Sequence, residues 1–155
     1  HASSHEIRTL YTAGSVRKSG PGHRRGESNR LRTQYHWQWR LRLAELLAVT
    51  APFPEFGIKG IYIIGSVKTA EAAESSDIDL LVHIYDTQEK RKALIEWLAG
   101  SDDLCRTLYE LQTGKQIIGE LVDAHLITDE DIENRDSYGV MIESLHNQAK
   151  PLRIR

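Results

Sequence analysis

Asp77 and Asp79 stand two residues apart at the head of an apolar run that continues through Val82. In a strand, side chains at i and i+2 share a face, so both carboxylates would converge on one point. Like charges held that close repel unless a cation sits between them, which points to a divalent metal. Upstream, the apolar run Gly60–Ile64 ends in Gly65-Ser66, and residues 67–76 separate it from the acidic pair. A tight turn there would offer backbone N–H groups and a hydroxyl to a triphosphate, and glycine at 65 would let it approach. Ser76 and Lys68 flank this arrangement as further nucleotide contacts, although Lys68 reads equally well as a solvated loop lysine. The bland reading of Ser76-Asp77, a turn leading into a strand, leaves Asp79 unexplained.

A third carboxylate, Asp123, falls on the polar face of a later apolar stretch. If that stretch neighbours the one carrying Asp79, three acidic groups fit a two-metal site, with ions ~3.5–4 Å apart clamping an in-line phosphoryl displacement. Mg2+ suits such a site because it takes few carboxylates, keeps waters and binds substrate phosphates; Mn2+ is the alternative. His83 and His125 share the carboxylate face by parity. A His-Asp metal site is conceivable there, but hydrogen-bonded histidines on an open sheet face are the favoured expectation.

The elements that must position these groups follow from periodicity. Leu31, Tyr35, Trp39, Leu43, Leu46 and Leu47 predict a helix over about 28–49, its arginines at 30, 32, 40 and 42 staying wet. Ala51-Pro52-Phe53-Pro54 ends it. Strands are expected over 59–64, 77–85 and 116–127, the last interrupted at Gly119. Ile78, Leu80, Val82 and Ile84 fill one face of the second strand, and Val122, Ala124 and Leu126 one face of the third. Between them the pattern predicts two helices, one ended by Gly100 and one capped by Ser101 with Leu104, Leu108 and Leu111 as its stripe. Thr128 with Asp131 resembles a capping box. A last helix over 137–148 and a short edge strand at Leu152–Ile154 complete the chain. Gly14-Ser15-Val16 repeats the phosphate-turn triplet without a strand before it or a carboxylate pair after it, and it is a decoy.

The order of apolar strand, Gly65-Ser66, gap, Ser76-Asp77-Ile78-Asp79-Leu80-Leu81-Val82, then Val122-Asp123-Ala124 resembles the nucleotidyltransferase superfamily. That superfamily includes polymerase-β-like enzymes and the minimal nucleotidyltransferases, and the resemblance spans about residues 42–127. It implies an α/β (α+β) fold with a mixed sheet of three to five strands backed by helices. It also implies transfer of a nucleoside monophosphate from a nucleoside triphosphate, ATP by default, to an acceptor hydroxyl. Residues matching Gly65 and Ser66 contact phosphates in the family, and those matching Asp77 and Asp79 bind both metals. The residue matching Asp123 binds the catalytic metal and helps deprotonate the acceptor. The span from Asp79 to Asp123 is long for the most compact members, and only short helices follow Asp123. The acceptor platform is therefore expected from a partner protein, a second copy of the chain, or a missing part of a longer one.

Composition agrees with one compact unit. The chain has 155 residues, 40% apolar and 27% charged, with a net charge of −2. No apolar run reaches membrane-spanning length, and one cysteine, Cys105, together with the lack of a leader pattern, leads us to expect a cytoplasmic setting. Residues 1–42 hold nine Lys/Arg against two Asp/Glu. We read residues 1–28 as a flexible basic arm, in part foreign to the native chain, and 29–155 as the folded domain. A basic arm could contact nucleic acid, but docking on the acidic body is favoured. From a different class, a non-catalytic domain of the same fold would serve as a nucleotide sensor or partner-binding module.

Overall fold

The computed structural model describes residues 25–85, 87–143 and 148–155. Residues 1–24 of the expected basic arm lie outside the described residues, and 25–28 already belong to the first helix. That helix, α1 (Arg25–Thr50), is followed by a single turn, α2 (Phe53–Phe56), then β1 (Ile58–Ile64) and a second single turn, α3 (Gly65–Lys68). β2 (Ile78–Ile84), α4 (Gln88–Thr113) and β3 (Val122–Ile127) come next. The chain closes with α5 (Asp129–Glu133), a 3-10 turn (Ser137–Gly139), α6 (Val140–Glu143) and β4 (Lys150–Ile154).

The strands form one mixed sheet in the order β3-β2-β1-β4. β1 runs antiparallel to both β2 and β4, and β2 runs parallel to β3. Parallel neighbours need a long crossover, which α4 supplies. The expected alternation is present. Ile78, Leu80, Val82 and Ile84 join Trp39, Leu43, Ala44 and Leu94 in the main core between the sheet and the two long helices, where Val122 is also buried. The other face carries a smaller cluster of Ile64, Leu81, Ile127 and Ala149, partly covered by Met141 and Ile142. Trp39 stacks on Tyr109 at 5.5 Å between ring centroids and ties α1 to α4. Arg153, on edge strand β4, donates to the carbonyls of Ala48, Val49 and Ala51, closing the C-terminal end of α1.

Several expected boundaries move, each for a local reason. α4 is one continuous helix where two were expected. Ser101 does not cap; its Oγ donates back to the Trp97 carbonyl at 2.8 Å, a bond compatible with the helix interior. The left-handed C-terminal glycine is Gly114 (φ 72°), and Gly100 lies inside the helix. The buried face of α4 is therefore Leu94, Asp102, Cys105 and Tyr109, while Leu104 and Leu111 of the expected stripe are exposed. The third strand starts at Val122, not near 116, and Gly119 sits at φ 87° in the preceding loop. The last helix is preceded by a 3-10 turn and is helical over Val140–Glu143; residues 144–147 of the expected span lie outside the described residues, and Gln148 is not helical. The edge strand takes in Pro151, which an edge position tolerates. The capping box of Thr128 and Asp131 is present in full.

Asp102 explains where β3 begins. Its Oδ1 accepts from the backbone N–H of Leu121 at 2.7 Å and of Val122 at 2.8 Å, and its Oδ2 accepts from Arg106 Nε at 2.9 Å. Buried at 5% exposure, this carboxylate docks the crossover helix onto the first residues of the strand that bears Asp123. Truncation would leave two backbone donors without their acceptor and remove one of the two carboxylate partners of Arg106. Asp102→Ala should destabilise the protein by about 3 kcal/mol, read as a lower urea midpoint; an unchanged midpoint would refute this role.

Candidate active site

Asp79 and Asp123 are register partners on parallel β2 and β3, so their side chains rise together from the same face. Ile64, the last residue of β1, is paired with Asp79 on the other side. The next residue, Gly65, turns the chain over the Asp79 carboxylate with φ at 70°. A β-carbon on Gly65 would lie 2.5 Å from Asp79 Oδ2, closer than atoms can approach. Glycine at 65 was expected to make room for a phosphate; here the space is taken by the carboxylate, and the left-handed backbone adds a second requirement. Ser66 is the second residue of that turn, and the Glu71 N–H donates to the Ser66 carbonyl at 2.8 Å to hold the loop.

Gly65, Ser66, Thr69, Asp79, Asp123 and His125 line an open cleft of about 540 Å³. That is within the range of small-molecule sites, roughly 300–1,000 Å³. Burial pushes the Asp79 carboxyl above its ordinary range, and the neighbouring Asp123 and Asp77 charges and a hydrogen bond with Asp123 push it the same way. Asp77 precedes β2 and is exposed. Its carboxyl is also raised, by partial burial first and by Asp123 second, with Arg40 opposing. The site is thus an electrostatic conflict among carboxylates, the condition that a divalent cation relieves. The donors present fit such an ion: one ligand atom each from Asp79, Asp123 and His125 lie within 4.8 Å of one another.

Other expected contacts point elsewhere. Lys68 Nζ donates to the Gln148 carbonyl at 3.0 Å, and Ser76 Oγ accepts from the Ala73 N–H at 2.8 Å. The two histidines separate. His83 stands four residues from Asp79, about 13 Å along the strand, and its Nε2 meets Asp129 Oδ1 at 2.7 Å. His125 stands two residues from Asp123 and reaches the cleft, with its ring stacked on Tyr138 at 4.0 Å.

A Nucleotidyltransferase domain family model matches residues 48–143, more than half of the chain and inclusive of Gly65, Ser66, Asp77, Asp79 and Asp123. The chain belongs to the nucleotidyltransferase-domain family. Comparison with curated proteins and with solved structures finds no match. The mixed sheet backed by helices agrees with the family's fold, and nucleotidyl transfer is its general activity.

One residue of this nucleotidyltransferase domain's site lies outside the matched segment. Arg40, expected to stay wet, is fully buried. Its Nε donates to the Ser76 carbonyl at 2.9 Å, one terminal nitrogen to the Glu74 carbonyl at 2.8 Å, and the other to the His36 carbonyl at 3.0 Å. Its guanidinium lies over the Trp39 ring at 4.4 Å. Burial lowers its pKa to about 10, which leaves it charged at neutral pH. The fork pins the loop that delivers Asp77 to β2. A sequence signal existed: Arg40 is in line with Ala44 and Ala48 at helical spacing, and both alanines are fully buried.

Two predictions follow from these contacts. Arg40→Lys keeps the charge but loses the planar fork, and should cost about 2 kcal/mol in chemical denaturation; wild-type stability would refute the pinning role. The raised Asp79 pKa means that this carboxyl contributes stability to the metal-free protein that is fully present below the ordinary carboxylate range and is lost as pH rises through the shifted value. Asp79→Asn should therefore flatten that decline and raise the melting temperature at pH 7. Melting curves between pH 4 and 8 check this, and an equal decline in both proteins would overturn it.

Proposed function

We propose that this domain transfers a nucleoside monophosphate from a nucleoside triphosphate, ATP by default, to an acceptor hydroxyl, with Mg2+ as the default divalent ion. The observation that carries the reading is the register pairing of Asp79 with Asp123 beside the Gly65-Ser66 turn. In this proposal Asp79, Asp123 and Asp77 hold the metal ions, which would draw charge from the triphosphate oxygens when bound. Gly65 and Ser66 contribute backbone N–H groups and a hydroxyl to the phosphates, as the turn after β1 allows. Lys68 and Ser76 are close enough in the chain to add contacts once a nucleotide displaces their present partners.

The reaction divides among the chain's own residues. Asp123 takes the proton of the acceptor hydroxyl as its oxygen bonds to the α-phosphorus, and the bond to the pyrophosphate oxygen breaks on the opposite side. Burial and the neighbouring charges make Asp77 and Asp79 reluctant to ionise alone, so cation binding there and proton release are coupled. The cleft is open and the described helices after Asp123 are short, so in this reading the acceptor, a protein, a small molecule or a nucleic acid, is presented by a partner, a second copy or another part of a longer chain. The basic arm and 29–155 domain division stays part of this proposal.

Incubation with α-labelled nucleoside triphosphates, Mg2+ and a cell lysate tests it. Label transfer should fall at least ~100-fold in Asp123→Asn, the scale of lost general-base and charge stabilisation. Equal transfer by both proteins would sink the catalytic reading. Nucleotide binding without transfer to any acceptor would favour the nucleotide-sensor alternative.

A further inference from the structure

The carboxylates proposed to hold metal are not alone in the cleft. His125 contributes the third of the ligand atoms that lie within 4.8 Å of one another. Donors bound at ~2.0–2.2 Å to one ion stand up to about 4.4 Å apart, so a small adjustment of side chains brings this trio around a single cation. The imidazole is already oriented. It lies on the β3 face two residues from Asp123 and is stacked on Tyr138, with 27° between the ring planes.

Its contact with Asp123 is a loose one. His125 Nε2 lies 3.4 Å from Asp123 Oδ2, beyond the about 2.7–2.9 Å of a charge-assisted hydrogen bond. His83, on the same sheet face, closes on Asp129 at 2.7 Å. His83 is thus closed on Asp129, whereas the His125 nitrogen stands from Asp123 at the spacing of two donors that share one ion. An all-oxygen set would suit Mg2+, whereas an imidazole nitrogen is a better donor to first-row transition ions than to Mg2+.

We propose that His125 coordinates the metal held by Asp79 and Asp123, and that this nitrogen donor shifts the site from Mg2+ toward first-row transition ions, for which Mn2+ is the probe. This rests on the metal-dependent reading above and refines which ion serves it. Tyr138 acts as a positioning residue that keeps the imidazole edge turned into the cleft.

Mn2+ alone, added at one equivalent to the full chain, tests the proposal by pulsed electron paramagnetic resonance. The spectrum should show coupling to a directly bound imidazole nitrogen, and His125→Asn should abolish it. Mn2+ affinity in that variant should fall about tenfold or more, with Mg2+ affinity changed less than about threefold. Circular dichroism establishes that the variant is folded, and His125→Gln replaces it if it is not. Bound Mn2+ without nitrogen coupling, or coupling that survives in the folded variant, overturns the role of His125 and leaves the nucleotidyl-transfer reading standing. Failure of the chain to bind either ion would overturn both.

Discussion

Two carboxylates of like charge face each other across neighbouring parallel strands, and the surrounding structure is arranged to keep them there. Register places Asp79 opposite Asp123, and the main core beneath leaves neither strand free to slip. A one-residue slip would send every buried side chain of β2 to the opposite face, so burial of Ile78, Leu80, Val82 and Ile84 also holds the acidic pair together. Repulsion between carboxylates is small against the loss of that core. Burial first, and the neighbouring carboxylates second, therefore hold the Asp77 and Asp79 carboxyls above their ordinary range in the folded protein.

Three contacts from outside the strands define the geometry around the pair. Asp102 on α4 anchors the start of β3 through two backbone N–H groups. Arg40 on α1 holds the loop from Glu74 to Ser76, so Asp77 enters the sheet at a defined place. Gly65 lets β1 turn immediately over Asp79. Each comes from a different element, which couples formation of the cleft to assembly of the whole helical layer. A buried arginine with a fork of three carbonyls is costly to desolvate, and its hydrogen bonds and the Trp39 ring offset that cost.

Much of the fold was legible because its signals are local. The period-two alternation in β2 and β3, the prolines after α1, and the Thr128–Asp131 capping box act within a few residues and were readable. Gly100 and Ser101 misled because the residue types that end helices also tolerate interiors when packing on both sides continues. Leu104 and Leu111 misled for a related reason: a helical stripe identifies a face, and the packing partner decides whether that face is buried. Arg40 was expected to stay wet, and no local pattern marks Asp102 for burial, because charge predicts exposure unless a partner from a distant segment satisfies it.

By itself, the sequence determined which residue types stand where: carboxylates at i and i+2, a third on the same parity of a later strand, and a glycine-serine turn after an apolar run. Those are consequences of covalent order and of the strand's two-residue period. Tertiary structure alone decided that β2 and β3 are neighbours, that Asp79 pairs with Asp123, and that His125 enters the cleft while His83 leaves it for Asp129. Strand pairing joins segments separated by the long crossover helix. Its register comes from summed burial across the sheet, which no local window of residues contains.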